Sequence, residues 1–228
     1  MKLAILICGE FRTFDLGYKT FGIFDKLNPD YYFSTWEKSS EIYEDKGINH
    51  VIDVTEDTIK ELLPNVTISI LNQDFYKDYK LSNTDKMFLH WKNAMKLVLE
   101  SGKEYTHIFI TRPDIWLHRV DNQEHFNFIE NNTDDCILNE SVLSLRAVDC
   151  FYMDDKTLLG NFVTMRDFVT NIPYFESHVH DALARYTMSR KLWVDGMPIN
   201  GIPLRSSCRG IENLNTEIVS HKRHQWGK

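Results

Sequence analysis

Apolar and polar positions follow two rhythms along this chain. Lys2 to Cys8 is one lysine followed by an unbroken apolar run, the pattern of a strand covered by helices on both faces. Gly9 closes it. Thr13 can cap a helix carrying Tyr18, Phe21, Phe24 and Leu27 at helical spacing, stopped by Asn28-Pro29. Tyr31 to Thr35 predicts a second strand, Trp36 to Gly47 a polar loop, and His50 to Val54 a third strand. Thr55 opens a predicted helix that runs through Leu63 and ends at Pro64. Val66 to Leu71 is alternating and β-branched, a fourth strand.

The longest predicted helix runs from about Asn83 to Ser101. Met87, Trp91, Ala94, Met95, Val98 and Leu99 form its apolar stripe, and Gly102 is its stop. His107 to Thr111 is a fifth buried strand and ends in Arg112-Pro113-Asp114. The second half is less regular. Short strands are expected at Cys136 to Leu138 and Val142 to Leu145, then a helix carrying Leu158, Leu159, Phe162, Val163, Met165 and Phe168, and another from about Ser177 to Ser189. Alternation of strand and helix argues a three-layer α/β/α, Rossmann-like fold with a mostly parallel central sheet. Neither an internal repeat nor a linker is evident, so residues 1–228 read as one domain.

Composition narrows the function. Hydrophobic residues make up 43% and charged residues 26% of the 228 positions, which excludes disordered, collagenous and low-complexity classes. No apolar run approaches the roughly 20 residues that span a bilayer, and the short apolar start runs straight into Gly9-Glu10-Phe11-Arg12, unlike a signal peptide. The net charge of −7 argues against nucleic acid as a partner. Four scattered cysteines without a C-x-x-C fit a reducing, cytoplasmic setting, the host cytoplasm if the source is viral.

Two strand ends carry candidate chemistry. In open α/β sheets ligands bind outside the carboxyl ends of strands. Cys8 and Gly9 follow the first strand, where small residues let a ligand approach the backbone, with Glu10 and Arg12 at the rim. After the fifth strand, Asp114 offers a carboxylate for Mg²⁺ or Mn²⁺ and Arg112 a second positive group for phosphates. A tight turn with a surface ion pair would explain either segment equally simply. Trp36 and Trp116, each just past a strand end, are the better candidates for stacking on a ligand, whereas Trp91 belongs to the stripe.

These segments together resemble a family of small viral and bacterial glycosyltransferase-like proteins. The resemblance lies in Leu3 to Thr13, in Phe33-Ser34-Thr35-Trp36 (with Ser34 where His is common), in Lys86-Met87-Phe88 and in Thr111-Arg112-Pro113-Asp114. It covers about two thirds of the chain. It implies a GT-A-like transferase using a nucleotide-sugar donor, such as a UDP-hexose, a saccharide or other hydroxyl acceptor, and Mn²⁺ or Mg²⁺. The signature of that fold is Asp-x-Asp; here Arg112 stands in the first position and Asp114 in the last. On this reading Cys8, Gly9, Glu10, Arg12, Lys86 and Arg112 contact the nucleotide, with the helix head near Asp85. Asp114 and His180 would hold the metal. Asp149, before Cys150-Phe151-Tyr152, and Asp181, in Glu176-Ser177-His178-Val179-His180-Asp181, would serve as catalytic groups toward the acceptor. Residues 1–118 form the nucleotide half and 119–228 the acceptor half. A nucleotidyltransferase, or a non-catalytic nucleotide-sugar-binding module, is the alternative.

Overall fold

The computed structural model describes residues 1–43, 48–118, 137–139, 157–171 and 215–218. In chain order the elements are β1 (Leu3–Cys8), α1 (Phe14–Gly17) running into a 3₁₀ helix (Tyr18–Leu27), β2 (Asp30–Trp36), β3 (Lys38–Tyr43) and β4 (Ile48–Asp53). Then come α2 (Glu56–Lys60), β5 (Val66–Leu71), a second 3₁₀ helix (Gln73–Tyr79), α3 (Asn83–Glu100), β6 (His107–Thr111) and β7 (Ile115–His118). The remaining described elements are β8 (Ile137–Asn139), β9 (Thr157–Asn161), α4 (Phe162–Asn171) and β10 (Asn215–Ile218).

The main sheet has the order β5-β2-β1-β6-β9-β8. Its first four strands are parallel, with β9 antiparallel to β6 and β8 antiparallel to β9. Every residue of β1 and β6 is buried, as the unbroken apolar run of β1 and the Ile108-Phe109-Ile110 centre of β6 require of strands with helices on both faces. Along β2, successive side chains point to opposite faces. Phe33 meets Phe14 at 4.9 Å on one face, where Phe24 also meets Phe109 at 5.1 Å. Ser34 meets α3 on the other face, where Trp91 packs on Phe168 of α4 at 6.0 Å. The result is three layers with a mostly parallel central sheet, the architecture expected from the sequence.

From β1 the chain adds β2 and then β5 on one side, crosses over through α3, and places β6 on the other side of β1. Strand order therefore reverses at β1 and β6, and a crevice opens outside their carboxyl ends.

Several local expectations are corrected. The stretch read as a polar loop forms β3, hairpinned with β4. The helix expected after Thr13 is one α turn followed by a 3₁₀ helix. The helix after Thr55 is short, with Thr55 Oγ1 accepting from Thr58 N at its start. Leu158 and Leu159 belong to β9, not to a helix; α4 starts at Phe162, where Asn161 Oδ1 accepts from Thr164 N at 2.8 Å. On α3, Phe88 is buried, whereas Leu99 is 46% exposed. The expected strand Val142 to Leu145 and the helix from Ser177 lie outside the described residues.

Candidate functional site: a guanidinium-lined cleft

β1 ends against β2, because Gly9 N donates to Ser34 O at 3.0 Å and extends the parallel ladder by one residue. Gly9 has φ +128°, a conformation side chains rarely adopt. A Cβ there would meet Pro113 Cδ at 3.6 Å, an ordinary contact, so backbone conformation rather than space favours glycine. Arg12 follows with φ +45°. A left-handed non-glycine residue costs roughly 1–2 kcal/mol, and hydrogen bonds to β3 hold this one. Arg12 N donates to Ser39 Oγ at 2.7 Å, and Ser40 N donates to Glu10 Oε1 at 2.7 Å. The overlooked strand β3 is thus the brace of the turn after β1.

The turn after β6 brings Asp114 to the same place. Arg112 Nε donates to Asp114 Oδ1 at 2.9 Å and Arg112 Nη2 to Oδ2 at 2.6 Å. Arg12 Nη1, from 102 positions earlier in the chain, donates to Oδ2 at 2.8 Å. Arg12 Nε also donates to Glu10 Oε2 at 3.2 Å. Asp114 is 2% exposed. Burial pushes its carboxyl up, but Arg112 and then Arg12 more than offset this and hold it below the usual carboxylate range.

These groups border a cleft of about 490 Å³, within the size range of small-molecule sites. Cys8, Gly9, Glu10, Arg12, Arg112 and Asp114, predicted from the two strand ends, all line it. So does Lys86, together with Asn83 and Thr84 in the first turn of α3. The N-terminus of this 18-residue helix carries a partial positive charge. Asp85, expected near the nucleotide, closes a capping box instead: Asp85 N donates to Ser82 Oγ, and Ser82 N donates to Asp85 Oδ2. Cys8 is fully buried beneath the cleft and its thiol is pushed up by burial, so it packs there rather than serving as a nucleophile.

A neutral network at the same cleft escaped the sequence reading. His90 of α3 is buried, and its Nδ1 lies 2.9 Å from Ser34 Oγ. Asn93 Nδ2 donates to the same oxygen at 3.0 Å. Burial pushes the His90 pKa down to about 3, so the ring is neutral. The ring stands edge-on to Trp36 at 4.5 Å, and both residues border the cleft. Among the described residues His90 Nε2 has no hydrogen-bond partner. The available signal was spacing: His90 is i+3 from Met87 and i−4 from Ala94, a polar residue within the apolar stripe.

Among the described residues, the groups that border this cleft do not fit a divalent cation. Both oxygens of Asp114 are taken by guanidiniums, and among the described residues no three His, Cys, Asp or Glu side chains are grouped to hold one. Asp149, His180 and Asp181 lie outside the described residues, as do Glu176 and His178. No described helix is long and apolar enough to cross a membrane.

No family model matches the chain, and no curated protein does. Among solved structures it is similar to the galactosyltransferase LgtC in complex with donor and acceptor sugar analogs, at a TM-score of 0.40 and 8% identity, covering 92% of this chain and 70% of that one. An active-site mutant of LgtC gives a TM-score of 0.42 and 9% identity over the same shares.

Proposed function

We propose that this chain is a nucleotide-sugar-dependent glycosyltransferase that moves a hexose from a donor such as a UDP-sugar to a hydroxyl acceptor. The observation that carries the reading is the convergence of Arg12 and Arg112 in a cleft at the point where strand order reverses. Guanidiniums match phosphate oxygens in shape and charge. Lys86 and the first turn of α3 add positive charge beside them. Such a lining suits a diphosphate, and the remaining volume suits its nucleoside and sugar.

In the transfer, the bond between the anomeric carbon and the diphosphate oxygen breaks and its electron pair leaves with the diphosphate. The acceptor oxygen forms the new bond and gives up its proton. Arg12 and Arg112 meet the charge that grows on the departing oxygen, a contribution that counts most when donors are already in position. Asp114 and Glu10 supply that positioning. Asp149 or Asp181 would take the acceptor's proton in an inverting reaction, with His180 close to Asp181 in sequence.

The test is incubation with a panel of nucleotide sugars, followed by measurement of free nucleotide. Release of nucleoside diphosphate is expected. Pyrophosphate release would make the chain a nucleotidyltransferase, and binding without turnover would make it a binding module.

A further inference from the structure

We infer that, in this cleft, the charge of the ligand's diphosphate is met by Arg12 and Arg112 instead of a divalent cation, with Asp114 serving as the positioning residue for both guanidiniums. This rests on the nucleotide-sugar reading and specifies how its anionic part is held.

The argument starts from Asp114. A carboxylate has two oxygens, and a divalent cation needs at least one of them within coordination distance. Both are already committed, through three hydrogen bonds of 2.6–2.9 Å from two cations. A cation placed there would sit against two guanidiniums that share its ligand, and like charges at such range repel strongly. It would find one unshared lone pair, on Oδ1, of a carboxylate that is 2% exposed and otherwise held by charge-assisted bonds. Glu10, the other acid bordering the cleft at this turn, is engaged as well: Oε2 accepts from Arg12 and Oε1 from the Ser40 backbone.

The same geometry prepares an anion site. Arg12 commits Nε and Nη1 to these acids, and among the described residues its Nη2 has no partner, so donors remain for a ligand. The arginine side chains are 31% and 22% exposed, against 3% for the carboxylate between them. The acid is therefore hidden and its two cations face the cleft. The strained backbone at Arg12, braced by Ser39, fixes where the first guanidinium stands before any ligand arrives. Such preorganisation lowers the cost of binding.

The experiment is calorimetric titration of the whole chain with UDP, GDP and inorganic pyrophosphate, each in EDTA and again with Mn²⁺. At least one ligand is expected to bind with an affinity that changes by less than about threefold between the two conditions. Arg12→Ala and Arg112→Ala should each weaken that binding in EDTA by roughly tenfold to a hundredfold, with Arg12→Lys falling between. Binding that appears only with Mn²⁺ would overturn the inference and leave the nucleotide-sugar reading standing. Binding of none of the three under either condition would overturn both. The comparison of the unaltered chain in EDTA and Mn²⁺ decides the matter even where a variant does not fold.

Discussion

Each end of the central sheet has an acid ringed by donors, and the two ends have different consequences. At the amino end, Asp30 opens β2; its Oδ1 accepts from Lys103 Nζ at 2.5 Å and its Oδ2 from the Tyr105 hydroxyl at 2.7 Å. Tyr105 and Tyr32 hydroxyls lie 2.7 Å apart, continuing the chain inward. At the carboxyl end, Asp114 is held by two arginines. The acids look alike as pairs. They differ in that Lys103 is more than half exposed, whereas Asp114 is buried between cations that border a cleft. An exposed pair contributes little because water already solvates both partners. A buried acid commits its partners, because leaving either charge uncompensated is costly. The first arrangement fastens β2 to the turn before β6. The second arranges charge for something outside the protein.

The contrast can be broken most forcefully at Asp114. Asp114→Ala leaves two guanidiniums without their shared counter-ion and should lower unfolding free energy by about 2–4 kcal/mol, a figure discounted for their partial exposure. Urea unfolding measures it, and a loss below about 1 kcal/mol would place this acid in the same class as Asp30. Next in size is Arg12→Ala, expected to weaken nucleoside diphosphate binding by about 1.5–3 kcal/mol. Unchanged affinity by calorimetry would make Arg12 a structural residue.

A third effect comes from His90. Its folded pKa of about 3 lies below the ordinary 6.5, so as pH falls the unfolded chain takes the proton first. Its stabilising contribution is therefore complete above about pH 6.5 and is lost as pH falls toward 3, at no more than about 1.4 kcal/mol per pH unit. The difference in slope between the parent chain and His90→Gln isolates this from the other eight histidines. Parallel curves between pH 7 and 5 would contradict it. The smallest change belongs to the amino end: Asp30→Asn should cost about 0–1 kcal/mol and leave diphosphate affinity untouched.

Both strand ends at the cleft were legible in the sequence because buried parallel strands leave an unbroken apolar run and the residues after it are left to chemistry. Lys86 was legible from its place at the head of the longest apolar stripe. β3 was not, because Lys38, Ser39 and Ser40 carry no apolar alternation; hydrogen bonds from the turn after β1 take its place. Leu158 and Leu159 fitted a helical spacing with Phe162 and Met165 by coincidence, since a strand running directly into a helix superimposes the two periods. His90 and Ser34 were missed as partners because their contact joins positions 56 residues apart, which local periodicity does not report.

The placement of β9 has a consequence for how this protein is made. The cleft residues named above all lie between Cys8 and Asp114, yet β6 pairs with β9, whose first residue is Thr157, and Trp91 packs on Phe168. On the ribosome, at roughly 5–20 residues per second, the parallel strands emerge seconds before the strand that covers the β6 edge. Throughout that interval β6, which is buried in the finished fold, presents unpaired backbone groups along one edge. The nascent chain thus passes through a sticky stage set by gene order. Slowing translation between Asp114 and Thr157 should raise the insoluble fraction without altering a single residue of the finished protein.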